Sequence, residues 1–186
     1  MTVKEIIKTT AILLGREDVT DYLDNKVAEC GEETSRTIGV LIELVNLVVG
    51  ELASTYIPAV KTEEVKFVCN KAYYGDFTER VIKVLSVTDR QGKDVDVVQD
   101  VEFLSAPLSI AFIEYEYLPK NFGLDDEICY TEKDVAPHVL AHGVLAEYAI
   151  TQGSFDEAVM WHKRYVDGVE AICLPKNVTA KRRRWA

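Results

Sequence analysis

The sequence lacks the usual signatures of catalysis, secretion and metal binding. Its four cysteines, Cys30, Cys69, Cys129 and Cys173, are widely spaced and form no C-x-x-C pair. That excludes the zinc frameworks and small disulfide scaffolds that depend on tight spacing, and leaves free buried thiols as the expectation. There is no G-x-S-x-G, no G-x-x-x-x-G-K-[ST] and no G-x-G-x-x-G. Neither a nucleophile elbow nor a phosphate-cradling loop is therefore encoded. The consecutive acids Asp125, Asp126 and Glu127 lack the alternating D-x-D-x-D-G spacing of a calcium loop and read as a solvated loop. Residues 1–15 are too short and too charged for a signal peptide. The longest apolar run, residues 45–49 with Asn46 inside it, is far below the roughly 20 residues of a membrane span. A soluble, intracellular chain with no membrane partner is expected.

Basic charge is also scarce, except in one place. The chain has 21 Lys+Arg against 31 Asp+Glu, a net charge of −10. Five of the 21 fall in the last twelve residues, PKNVTAKRRRWA, which hold no acid, so residues 1–174 carry 16 basic and 31 acidic side chains, a net of −15. A body of that charge repels phosphates and suits a surface that DNA slides past. A twelve-residue tail cannot bury a core. Lys181, Arg182, Arg183, Arg184 and Trp185 are instead the residue types that anchor interfaces. The alternatives are a solvated terminus or a small nucleic-acid-binding tail.

The remaining sequence is strongly patterned. Thr2 and Glu5 form a capping box, Ile6, Ile7, Ala11 and Leu14 follow at helical spacing, and Gly15 can end the helix. A short helix through Val19, Tyr22 and Leu23 and a loop over residues 28–34 lead into a long helix over residues 35–56. Its apolar face runs through Ile38, Leu41, Ile42, Val45, Val49, Leu52 and Tyr56, and Pro58 stops it. The period then changes to two. Val65, Phe67 and Cys69 alternate with polar neighbours. Residues 81–88, 94–98, 101–104 and 110–117 read as strands, with a turn at Arg90, Gln91 and Gly92. Tyr73, Tyr74 and Phe77 flank a Y-G-D turn. Asp134 is the expected cap of a helix through Val139, Leu140, Val144, Leu145 and Tyr148. Gly153 ends it, and a second capping box, Ser154 and Glu157, starts a helix through Trp161, Tyr165, Val169 and Ile172. So short a connection makes an antiparallel helix hairpin.

The expected fold class is α+β. Helices at both ends form a bundle around an inserted antiparallel sheet or small sandwich, with an extended basic C-terminal tail. The expected divisions are residues 1–60, 61–120, 121–174 and the tail 175–186. No cofactor or metal is expected. His138 and His142 stand at i and i+4, so both rings can address one ion, but no glutamate follows the first histidine and no third ligand is evident. A small metal-dependent enzyme using that pair is the enzymatic alternative, with packing or surface histidines as the default.

Three stretches resemble a known family. They are Leu13-Leu14-Gly15, the helix LVNLVVGELASTYIP at residues 44–58, and AEYAITQGSFDEAVMWHKRYVDGVEAI at residues 146–172 followed by KRRRW. Together with the overall layout they resemble the head-to-tail connector (adaptor) proteins of tailed bacteriophages and prophages. The β-insertion is similar to that of the larger adaptors, such as tail tubular protein A of short-tailed phages. The resemblance implies a structural virion protein rather than an enzyme. It would be made in the host cytoplasm and placed at the head–tail interface as a homo-oligomeric ring, dodecameric in that family. The ring would sit beneath the portal protein, meet the next neck or tail component, and surround a channel where contact with passing DNA is transient and non-specific. Lys181, Arg182, Arg183, Arg184 and Trp185 would dock on the portal. Another neck ring, a stopper or tail terminator, is the alternative within that class.

Overall fold

The structure, a computed structural model, describes residues 1–128 and 135–173. It is an α+β fold. Helices α1 (Val3–Leu13), α2 (Glu17–Leu23) and α3 (Glu32–Glu51) precede strands β1 (Ala59–Lys66), β2 (Lys71–Tyr73), β3 (Arg80–Thr88), β4 (Val98–Gln99), β5 (Phe103–Ser105) and β6 (Ile110–Leu118). Helices α4 (Pro137–Thr151) and α5 (Phe155–Cys173) follow.

Local chemistry explains the helix ends. At the start of α1, the Glu5 amide donates to Thr2 Oγ1 at 3.2 Å and the Thr2 amide donates to Glu5 Oε2 at 2.9 Å, the reciprocal box expected from the sequence. Gly15, at φ +68°, closes α1 in a Schellman turn: the Arg16 amide donates to the Ala11 carbonyl at 2.9 Å and the Gly15 amide to Ile12 at 3.2 Å. The same 6→1 and 5→2 bonds recur after α4, where the Ser154 amide reaches Ala149 at 2.9 Å and Gly153, at φ +75°, reaches Ile150 at 3.0 Å.

Several expectations are corrected. Helix α3 begins at Glu32, inside the stretch read as a loop, because Gly31 takes the extended cap conformation and two acids favour the first turn. Its last turn, Leu52–Tyr56, widens into a π-helix, which the apolar periodicity does not register. From Glu32 to Tyr56 this helix is 25 residues long and by length and composition apolar enough to cross a membrane, although no unbroken apolar run in it approaches that length. In the fold it buries Ile38, Leu41, Val45, Val48 and Val49 in the bundle. Helix α4 is capped at Ala136 rather than at Asp134, which lies outside the described residues; Pro137 at the first helical position supplies a preset φ and lacks the amide a cap would satisfy. Cys69 does not continue β1. With Asn70 it forms a two-residue turn, both at positive φ (52° and 63°), and Val68 and Lys71 exchange amide–carbonyl bonds of 2.8 and 3.0 Å across it. Residues 94–97 do not form a strand: Asp94 makes only an isolated bridge to Thr88 of β3, and the next strand, β4 at Val98, pairs with β5 in the other sheet.

The insertion has two antiparallel three-stranded sheets, ordered β1-β6-β3 and β2-β5-β4. Central strand β6 buries Ala111, Ile113 and Tyr115 on one face, as its alternation predicts. Those residues share a core with Val65, Phe67 and Val87 and with Ala72 and Leu104 of the second sheet. Strand β3 bulges twice against β6, between Val81 and Lys83 and between Val84 and Ser86. The bulges put Ile82 and Leu85 outside the ladder on an edge strand, an arrangement that discourages further strand pairing.

The helical core is separate. It joins Ile6, Ile7, Leu41, Val45, Val48, Leu140, Val144, Tyr165 and Val169 among others. Helix α4 is its centre, buried on nearly every side, and α1, α3 and α5 pack on it. Two glycines permit the close crossings. A Cβ on Gly143 would lie 2.8 Å from Val48 Cγ1, and one on Gly168 would lie 3.0 Å from Val139 Cγ1.

Candidate functional site

The expected docking residues Lys181, Arg182, Arg183, Arg184 and Trp185 lie outside the described residues, as do Pro175 and Cys129. The structure does describe the end of the chain from which the tail departs. The α4–α5 hairpin is fixed by the Gly153 turn and the two glycine crossings, and α5 runs to Cys173. There Ile172 packs on the helical core, the Cys173 thiol donates to the Tyr56 carbonyl at 3.8 Å, and the Tyr56 and Tyr165 rings meet edge to face at 6.0 Å. Helix α5 is thus anchored to its last described residue, beside the π-helical end of α3. Cys173 and Cys69 are exposed and Cys30 is partly so; all three are free, which corrects the expectation of buried thiols.

Charge near this end is arranged with some care. Burial holds the Glu51 carboxyl above its usual range; His162 of α5 opposes that effect and Glu147 of α4 adds to it. At the opposite joint, Arg16 donates from Nε and Nη2 to both Asp18 oxygens at 2.8 and 2.9 Å and reaches Thr37 Oγ1 at 3.3 Å and Glu33 at 3.4 Å. Thr34 Oγ1 also donates to Asp18 at 2.8 Å. The Arg16 hydrogen bonds hold the Asp18 carboxyl below the usual carboxylate range. This cluster ties the α1–α2 joint to the first turns of α3.

His138 and His142 do share a face of α4, with ring centroids 6.0 Å apart and the planes at 73°. The His142 ring is also stacked on Trp161 of α5 at 5.5 Å, and Arg164 covers Trp161 at 4.7 Å. Burial, then the nearby His138 and Arg164, hold the His142 imidazole below its ordinary value. Among the described residues, no group of three or more His, Cys, Asp or Glu side chains is placed to hold a metal ion. His142 instead packs α4 on α5 through Trp161, and His138 is exposed beside it.

Sequence reasoning missed one cleft. About 390 Å³ in volume, it lies between the sheet and the chain leaving it, lined by Glu79, Tyr117, Lys120, Asn121, Phe122 and Asp126 among others. Lys120 Nζ is 3.4 Å from Glu79 Oε1, and Glu79 Oε2 is buried without a hydrogen-bond partner. Burial and the Glu79 charge raise the Tyr117 phenol above its usual value. The segment is held from below by Asn46 of α3, whose Nδ2 donates to the Phe122 carbonyl at 3.1 Å while Oδ1 accepts from the Phe122 amide at 2.7 Å. An isolated Asn in an apolar helix face was the available signal. The cleft presents a carboxylate, a phenol and an amine, groups suited to polar contact.

No protein-family model matches the sequence. No curated protein matches it either.

Proposed function

We propose that the chain is a structural adaptor: a ring-forming head-to-tail connector that binds beneath a portal protein and joins a DNA-filled head to a tail. The observation that carries this reading is the C-terminal hairpin. A rigid helix pair, anchored at Cys173 beside Tyr56, hands over directly to the acid-free sequence PKNVTAKRRRWA. A basic, Trp-bearing peptide on a fixed root is suited to plug a partner's surface, because Arg offers planar, bidentate donors and Trp buries a large ring. The antiparallel β-insertion, on its own core, is available to the next neck or tail component. The net charge of −15 over residues 1–174 suits a wall that passing DNA does not stick to.

The test is removal of residues 179–186. The shortened chain should keep the helical circular dichroism and melting transition of the full chain and lose co-sedimentation with portal rings. A shortened chain that still assembles on portal rings would refute the role given to Lys181, Arg182, Arg183, Arg184 and Trp185.

A further inference from the structure

We infer that helix α5 carries a contact for a second copy of this chain, formed by two α5 helices packed antiparallel about a twofold axis between Val159 and Met160. The first observation is an uncovered apolar patch where α5 begins. Val159 is 71% exposed, Phe155 67% and Met160 44%, with Ile150 at 48% across the Gly153 turn. Together they expose on the order of 400 Å² of apolar surface, within the size range of the largest patches on monomers, which are often functional.

The second observation decides the occupant. Asp156, Val159, Met160 and Lys163 fall at steps of three, one and three, so they form one stripe of the helix. Along α5 the acids Asp156 and Glu157 come first, His162, Lys163 and Arg164 follow about two turns later, roughly 10 Å along the axis, and Asp167 and Glu170 come after them. None of Asp156, Glu157 and Lys163 has an ion-pair partner in the described residues. An antiparallel copy centred between Val159 and Met160 sets Asp156 opposite Lys163 twice, with Val159 and Met160 of both copies between the two pairs. The stripe is therefore complementary to itself, which is what an isologous contact requires. A second copy fits it better than an unrelated acidic or basic partner, which would meet like charge at one end.

A symmetric pair closes on itself and cannot extend into a ring, so the contact does not rest on the adaptor reading. It belongs to the soluble chain before any assembly. Its modest area makes it weak and concentration-dependent, at the low end of interface sizes. The test is sedimentation equilibrium of the full chain from about 10 µM to about 1 mM, with circular dichroism to confirm that each variant folds. Wild type should pass from monomer to dimer. Asp156→Lys and Lys163→Asp, each placing like charges opposite one another twice, should each weaken association by about tenfold or more. The double reversal should restore it to near the wild-type value. A chain that stays monomeric at the top concentration would overturn the inference. So would a dimer indifferent to the single reversals, a closed ring larger than a dimer, or a double variant that stays monomeric.

Discussion

Of the glycines in the bundle, Gly143 leaves least room for a side chain, and replacing it tests the packing there. A Cβ there would meet Val48 Cγ1 at 2.8 Å, Tyr165 Cδ2 at 3.1 Å and Tyr165 Cε2 at 3.3 Å. Neither neighbour yields easily. Val48 is 1% exposed and β-branched, and Tyr165 is fully buried. Overpacking a core of this kind costs about 1–3 kcal/mol, while exchanging a helical Gly for Ala gains back up to about 1 kcal/mol of propensity. Gly143→Ala should therefore destabilise by about 1–2 kcal/mol, which lowers the midpoint of thermal unfolding by about 2–8 °C for a chain of this length. Gly39 is the matched control. It is also inside a helix, yet a Cβ there meets nothing within 4 Å. Gly39→Ala should stabilise by about 0.5–1 kcal/mol. Urea titrations of the two variants beside wild type give the comparison. If both variants gain stability equally, the crossing of α4 on α3 and α5 is not as close as described.

Three further outcomes follow from the same structure. Asn46→Ala leaves the Phe122 amide and carbonyl without their partner, at a cost of about 1–3 kcal/mol, and should speed amide exchange in residues 119–128 specifically; unchanged exchange there would remove Asn46 from its anchoring role. His142 is held below its ordinary value in the fold, so the unfolded chain takes up the proton first as pH falls, and stability should decline below about pH 6.5. His142→Gln should flatten that decline between pH 7.5 and 5.5 in urea titrations, and an unaltered slope would locate the acid sensitivity elsewhere. Asp18, with its carboxyl held below the usual range, contributes stability above the unfolded carboxylate pKa near 4, and that contribution is lost as pH falls further. Its side chain is 42% exposed, so Asp18→Asn should cost only about 1 kcal/mol near neutral pH, read as a shift in urea midpoint; a loss of several kcal/mol would mean the Arg16 cluster is more than a surface tie.

The fold was legible wherever one physical rule acted alone. Thr2 with Glu5 marks a helix start because two side chains satisfy two amides, and Gly15 and Gly153 mark ends because only a left-handed residue closes those turns. The alternation of Ile113, Tyr115 and Tyr117 with Glu114 and Glu116 marks a strand, β6, with one buried face. Tertiary context decided the rest. The π-helical turn at Leu52–Tyr56 leaves no mark in the spacing of apolar residues. Cys69 and Asn70 take up a hairpin turn without the expected glycine. Asp94 reads as the start of a strand, but only an isolated bridge joins it to Thr88. The Glu79 cleft was hidden because Glu79, Tyr117 and Asn46 are far apart in sequence and brought together only by docking of the sheet exit against α3. The basic tail was the most conspicuous feature of the sequence. The structure adds to it the anchored root at Cys173; the periodicity of α5 gives the helix through Ile172 but not that contact.

The adaptor reading is tested most directly by the mass of the complex formed when the full chain is mixed with purified portal rings. One species is expected, in which a ring of this chain is bound to one portal ring with the chain and portal subunits in a fixed ratio, and none of it forms with the chain lacking residues 179–186. A mixture in which portal rings keep their own mass, with this chain remaining apart at every ratio, would contradict it.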